Sequence, residues 1–263
     1  KEKIRPTRRT GQISIFQEIK AVEAKLTKVA VIGGSGYTGL ELIRLIHAHP
    51  RLQLTYVTSE QYAGQKLREC YPFISPSINL RYQPLDIKDA FDTADTFFLA
   101  LPHGISLTIA PALRKKGKTV IDLSADYRLK NLDSYQRIYG KTHLDKALVS
   151  QAVYGLPEIY RHQIRSSSLI ANPGCYATSI ILGLIPILKA GLVNDAVTII
   201  ADSKSGISGA GRKAEATYLF TECDQNIKAY KIGKHRHVPE IEQELNLIGQ
   251  SEIHILLTPQ LIP

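Results

Sequence analysis

The sequence predicts an α/β protein built on a parallel sheet, and three observations carry that prediction. Short apolar runs read as strands at 28–32, 52–58, 95–101 and 119–124, with helical stretches between them. Strands alternating with helices imply right-handed βαβ crossovers. The first strand, Lys28-Val29-Ala30-Val31-Ile32, runs into a Gly-rich turn and then an apolar helix. A later strand, Ser168–Ala171, enters the turn Asn172-Pro173-Gly174, after which Ile180–Ile185 reads as a buried helix.

In chain order, the opening is a basic extension. Residues 1–28 hold eight Lys/Arg against three Glu, which is +5 of the formal net charge of +9. Ser14–Leu26 carries Ile15, Ile19, Val22 and Leu26 at helical spacing and predicts a short amphipathic helix. The Arg-rich start reads as a solvated extension, in preference to a transit peptide, a linker or a fusion scar. A chain of 263 residues without Met points to a trimmed or partial product. The remaining body is mildly basic, which suits anionic small molecules. Lacking a basic stripe interleaved with aromatics, it gives no sign of nucleic-acid binding. No apolar run reaches the roughly 20 residues of a membrane span. Three distant cysteines, none in a CxxC, indicate neither a zinc site nor a disulfide framework and fit a reducing compartment.

The Gly-rich turn Gly33–Gly39 has the mechanics of a dinucleotide site. Its glycines permit a tight turn and close backbone approach, and the following helix offers N–H donors to a pyrophosphate. Candidate cofactor-binding residues there are Gly33, Ser35, Gly36, Tyr37, Thr38 and Gly39. The second strand ends in Thr58-Ser59-Glu60, where an acidic residue would serve a ribose 2′-hydroxyl. Hydroxyls at Thr58 and Ser59 suit a 2′-phosphate instead, which points to NADP over NAD, with Lys66 and Arg68 as further phosphate partners. The third strand ends at Pro102-His103-Gly104, at the edge where such sheets bind ligands. A helix is predicted from Ile105 to Lys116. Past the fourth strand, Arg128 falls at the same edge.

Cys175 follows the turn Asn172–Gly174 and so stands at a helix N-terminus, where open N–H groups and the dipole favour a thiolate. Most lone cysteines are buried and inert; the surrounding motifs reverse that reading for Cys175. A strand at Ala196–Ala201 leads into the loop Asp202–Lys213, where small residues, hydroxyls and Arg212 suit an anion. His235 and His237 precede a helix that starts near Pro239 and carries Ile241, Leu245 and Ile248 on one face. With Glu240 they invite a metal reading, but no third soft ligand has clear spacing and HExxH is absent, so no metal is expected. A histidine at a helix start fits better as acid/base partner to a thiolate. Two alternating apolar runs finish the chain.

Taken together, the chain resembles the N-acetyl-gamma-glutamyl-phosphate reductase family from Lys28 to Pro263. The likeness rests on seven ordered motifs: Gly33–Gly39, Ala100–Gly104, Asp122–Leu129, Tyr154–Glu158, Asn172–Thr178, Ser205–Arg212 and His235–Glu240. It implies an N-terminal Rossmann-like parallel-sheet domain plus an α+β catalytic/dimerisation domain of the semialdehyde-dehydrogenase type. The expected division is a basic extension at 1–27, an NADP-binding domain at 28–173 and a catalytic domain at 174–263. It also implies a tail beyond Pro263 that packs back on the first domain.

The activity implied is NADPH-dependent reduction of an acyl phosphate to an aldehyde with release of inorganic phosphate, in arginine biosynthesis, through a Cys175 thioester. His237 or His235 would be the acid/base, with Glu240 positioning one of them; His237 is favoured as nearer the helix start. Arg128, Ser208 and Arg212 would hold the anionic substrate, and Ser59, Pro102 and His103 would join the Gly-rich turn at the cofactor. A homo-oligomer, dimer or tetramer, is expected, in the cytoplasm or alternatively a plastid. Two alternatives stay open: a related reductase acting on aspartyl or carrier-bound aminoadipyl phosphate, and a non-catalytic NADP-binding sensor.

Overall fold

The computed structural model describes residues 25–143, 145–193, 197–250 and 252–263. Residues 1–24 of the basic extension, and all but the last two residues of the helix expected over Ser14–Leu26, lie outside them; Thr27, expected in the extension, is the first residue of a strand.

The first body contains β1 (Thr27–Ile32), α1 (Tyr37–Ala48), β2 (Leu52–Val57), α2 (Leu67–Cys70), α3 (Ile87–Ala90), β3 (Thr96–Leu99), α4 (Ser106–Lys115) and β4 (Thr119–Asp122). It continues with α5 (Leu132–Tyr139), α6 (Lys146–Gln151), β5 (Val153–Tyr154), α7 (Pro157–Ser166) and β6 (Leu169–Ala171). The six strands form one sheet in the order β2-β1-β3-β4-β6-β5, with every neighbouring pair parallel. Val29 to Ile32 are all fully buried. A strand covered on both faces needs such a continuous apolar run. Ile109, Ala110 and Leu113 of α4 cover one face. Ile43 and Ile46 of α1, with Tyr71 and Tyr82, cover the other.

Register positions the site. Ile32 pairs with Leu99, Leu99 with Asp122, Asp122 with Ala171, and Ala171 with Tyr154. Five strands therefore end in one row. Out of that row emerge the Gly-rich turn, the Pro102–Gly104 turn, the segment to Arg128 and the Asn172–Gly174 turn.

The second body contains α8 (Cys175–Lys189), β7 (Val197–Gly206), α9 (Phe220–Cys223), β8 (Lys228–Ala229), α10 (Val238–Gly249) and β9 (Ile253–Ile262). β9 lies between β7, to which it is parallel, and β8, to which it is antiparallel. The two runs expected at the end of the chain are this single strand. β7 also outruns the expected strand, pairing with β9 as far as Gly206 with Ile262. An adjacent strand of equal length supplies backbone partners, so polar Asp202–Gly206 stays extended although its composition reads as loop. Buried Ile253, Ile255 and Leu257 of β9 share a cluster with Ile180 and Ile181 of α8 and Ile241 and Leu245 of α10.

Candidate active site

The nucleophile candidate is placed by two helix starts. β6 delivers Asn172–Gly174, and Gly174 caps α8 in an extended conformation without any side-chain cap bond. Cys175 is the first residue of α8 and is exposed. α10 packs on α8 within the second cluster, and its cap residue is His237. A Cβ added at Gly174 would stand 2.5 Å from His237 Nε2 and Cε1. Glycine at 174 is thus what admits the imidazole beside the cysteine. Cys175, His235 and His237 line one cavity of about 170 Å3 with Tyr176, Ser205, Tyr218, Tyr230, Lys231 and Arg236.

Both histidines of this pair are held neutral. Burial, then the nearby Arg128 charge, pushes His237 down to about 2. Burial, then Arg236 and Lys231, pushes His235 down to about 4. The His237 N–H donates to His235 Nδ1 at 3.2 Å, so the proton of a neutral His235 sits on Nε2. His237 Nδ1 is buried with no hydrogen-bond partner among the described residues. A neutral imidazole against the helix start can accept a thiol proton, and the open N–H groups of α8 can hold a developing oxyanion.

Glu240 does not position either histidine, contrary to the sequence expectation. It is 1% exposed, and its carboxylate accepts from the Gly174 N–H and the Tyr154 hydroxyl, each at 2.8 Å. It also pairs with Arg128 Nη1 at 3.2 Å. Arg128 is likewise corrected. It is buried, and it donates to the backbone oxygens of Asn172 at 2.7 Å and Leu123 at 2.9 Å. Carboxylate and guanidinium together clamp the turn before Cys175, so Arg128 faces the protein and not a substrate. Ser208 is not among the residues lining the cavity; its neighbours Ser205, Gly209 and Ala210 are.

The Gly-rich turn is held from behind and open in front. Gly33 has φ +88°, and a Cβ there would meet the Ala100 backbone oxygen at 2.3 Å. At Gly39 it would meet the Gly33 oxygen at 2.3 Å. At Gly36, the uncapped start of α1, it would meet no atom within 4 Å. These residues fit a dinucleotide: close packing fixes the turn, while Gly36, Tyr37 and Thr38 present their N–H side outward. Thr58 accepts from the Gly33 N–H at 3.0 Å, and Ser59 donates to Ser35 Oγ at 2.8 Å. Both are buried. They brace the turn, and the Ser59 hydroxyl, expected to meet a phosphate, is turned onto Ser35 instead. Pro102 and His103 flank the same edge. His103 Nδ1 accepts from the Ala125 N–H at 2.9 Å, and burial, then Arg236, pushes it down to about 4. Arg212 lies at the Gly-rich turn and is not among the residues lining the Cys175 cavity; its Nη1 donates to the Ser35 oxygen at 2.9 Å.

Lys231 and Arg236 also line the cavity, as do Tyr176, Tyr218 and Tyr230, and none of these was expected there from the sequence. The signal was the run Lys231–His237, which alternates cations with the two histidines.

Family models match the chain twice: semialdehyde dehydrogenase, NAD binding domain, at residues 28–167, and semialdehyde dehydrogenase, dimerisation domain, at residues 175–263. An N-acetyl-gamma-glutamyl-phosphate reductase of Desulfotalea psychrophila is 50% identical over 239 residues, covering 90% of this chain and 68% of that one. The reductase of the same name from Magnetococcus marinus is 48% identical over 236 residues, covering 90% and 67%. Among solved structures, aspartate semialdehyde dehydrogenase II from Vibrio cholerae matches with TM-score 0.64 at 18% identity, covering 91% of this chain and 71% of that one. The Candida albicans aspartate semialdehyde dehydrogenase with NADP matches with TM-score 0.63 at 16% identity, covering 91% and 68%. At such identities these structures speak to the fold.

Proposed function

This chain belongs to the N-acetyl-gamma-glutamyl-phosphate reductase family, within the semialdehyde dehydrogenases, and from that premise we propose a division of labour among its residues. The reaction is NADPH-dependent reduction of N-acetyl-gamma-glutamyl phosphate to N-acetylglutamate semialdehyde, with release of phosphate. Residues 28–173 hold NADP and residues 174–263 hold the acyl group. The chain works as a homo-oligomer, dimer or tetramer, a reading supported by the dimerisation-domain match. We assign it to the cytoplasm.

Cys175 attacks the acyl carbonyl while His237 takes the thiol proton. The C–O bond to phosphate breaks with its electron pair on oxygen, and His237 hands its proton to the leaving group. A thioester remains on Cys175. The Gly-rich turn, Gly33 to Gly39, would hold the pyrophosphate of NADPH, which would supply the hydride that reduces the thioester. The resulting thiohemiacetal oxyanion lies over the first N–H groups of α8, which stabilise it until it expels the Cys175 thiolate and frees the aldehyde. Lys231 and Arg236 face the anionic ends of the substrate, in the places first given to Arg128 and Arg212. Glu240 is a positioning residue for the Gly174 turn.

The observation that carries this reading is the exposed Cys175 at an uncapped helix start, with His237 seated over the cap glycine. A second observation bears on the substrate. None of the described residues lining the cavity is acidic, and Glu240 beside it is committed to Arg128, Tyr154 and Gly174. A free α-ammonium would lack a counter-charge there, whereas an N-acyl group needs none. The test is the reverse reaction with NADP and phosphate. N-acetylglutamate semialdehyde should be oxidised and aspartate semialdehyde should not. A preference for the free amino acid would sink the substrate assignment, and turnover by Cys175→Ala would sink the mechanism.

A further inference from the structure

Arg212 belongs to the loop after β7, in the second body, yet it reaches the first. Its Nη1 donates to the Ser35 backbone oxygen at 2.9 Å and to the Tyr71 hydroxyl. Its guanidinium lies 5.0 Å from the Tyr71 ring centroid and 5.9 Å from that of Tyr37. Tyr71 itself donates to the same Ser35 oxygen at 2.9 Å. Ser35 immediately precedes Gly36, the uncapped start of α1, and Tyr37 is the first residue of that helix. No carboxylate pairs with Arg212 among the described residues. Its Nε and Nη2 also have no protein partner among them. A guanidinium anchored by one nitrogen, set against aromatic rings and left without a counter-ion beside a helix start is shaped for a phosphate fork.

We propose that Arg212 is a cofactor residue: it grips a phosphate of the bound dinucleotide from across the domain boundary. The same loop supplies Gly209 and Ala210, and the end of β7 supplies Ser205, to the wall of the Cys175 cavity. The segment that meets the acyl group is thereby fastened to the cofactor at its other end. The inference rests on the NADPH reading above and moves Arg212 from the substrate to the cofactor.

Arg212→Gln separates the possibilities, with dinucleotide binding followed by the emission of the reduced nicotinamide; the protein has no Trp to compete. The variant should bind NADPH about ten- to a hundred-fold more weakly, the cost of one charge-assisted hydrogen-bonded contact. Alkylation of Cys175 by iodoacetamide in the absence of cofactor should keep its rate, which shows the acyl cavity intact. Equal loss for NADPH and NADH places the fork on the pyrophosphate, and loss for NADPH alone places it on the 2′-phosphate; either supports the proposal. Arg212→Lys should recover only part of the affinity, since a point charge replaces a fork. Unchanged dinucleotide binding, with or without a raised KM for the acyl phosphate, overturns it. Should the unsubstituted protein bind neither dinucleotide, the functional reading itself would fall, an outcome distinct from the failure of Arg212 alone.

Discussion

α1 and α8 begin in the same way and are used differently. Each follows a strand whose end lies in the common row, and each is capped by an extended glycine, Gly36 at φ −75°, ψ 165° and Gly174 at φ −69°, ψ 154°. Neither has a side-chain cap bond, so each turns unpaired N–H groups and a positive dipole end outward. The difference lies in what stands over the cap. A Cβ at Gly36 would touch no protein atom within 4 Å, whereas one at Gly174 would strike His237 at 2.5 Å. One helix start is open in front; the other faces an imidazole brought by α10. A single backbone device can thus serve as a phosphate cradle or as the mount of a nucleophile, according to what a second element places in front of it.

The largest effect should come from removing the sulfur that separates the two sites. Cys175→Ser should lower turnover about 10⁴-fold or more, while NADPH affinity stays within about two-fold of the parent. Steady-state rates and cofactor titration check both halves, and a parallel loss of cofactor binding would blur the contrast. Next come the two cap glycines themselves. Gly174→Ala should displace His237 and reduce kcat about a hundred-fold with NADPH binding intact. Gly36→Ala should do the reverse, weakening NADPH about ten-fold while sparing the rate of Cys175 alkylation. If both variants lost the same function, the proposed difference between the two starts would be wrong.

Glu240 offers a sharper version of the same comparison, because only the α8 turn is clamped by a buried ion pair. Glu240→Gln should cost about 3 kcal/mol in urea unfolding, since it leaves Arg128 buried without its counter-charge. A change within experimental error would show that the pair adds nothing to the turn. The smallest effect concerns pH. His103, His235 and His237 all have folded-state pKa values depressed below 6.5. Each therefore contributes stability that is present above pH 6.5 and is lost as pH falls, toward about 4 for His103 and His235 and about 2 for His237. Asp122 acts in the opposite sense: burial raises it to about 6, so its contribution is present below 3.8 and lost as pH rises through about 6. With His143, which burial also lowers, and Glu244, which burial also raises, four depressed imidazoles outnumber two raised carboxyls, and the melting temperature should fall from pH 6.5 to 4.5. In His235→Gln that slope should be shallower.

Both glycine turns were legible in the sequence, because strand, turn and helix follow one another within a dozen residues. The parallel sheet was legible for the same reason. What escaped was direction at long range. Arg128 looks like a ligand cation until it meets Glu240, 112 positions later. Arg212 looks like a substrate residue until it reaches Ser35, 177 positions earlier. Ser59 was expected to point outward, and one rotamer turns its hydroxyl onto Ser35. Periodicity reports which face of an element is apolar; it does not report where a polar side chain beyond a strand end finds its partner. Lys231 and Arg236 were passed over because charges near a loop ordinarily read as solvated.

Cys175 and His237 stand at the ends of two helices whose buried sides, Ile180 and Ile181 on one and Ile241 and Leu245 on the other, belong to one cluster. The spacing of sulfur and imidazole is consequently inherited from the volume of aliphatic groups a turn or more away. Trimming a methyl there, as in Ile181→Val, would tilt one lever against another and retune the nucleophile without touching it. Variation in catalytic power among related chains should then track the bulk of that seam as closely as it tracks any polar residue.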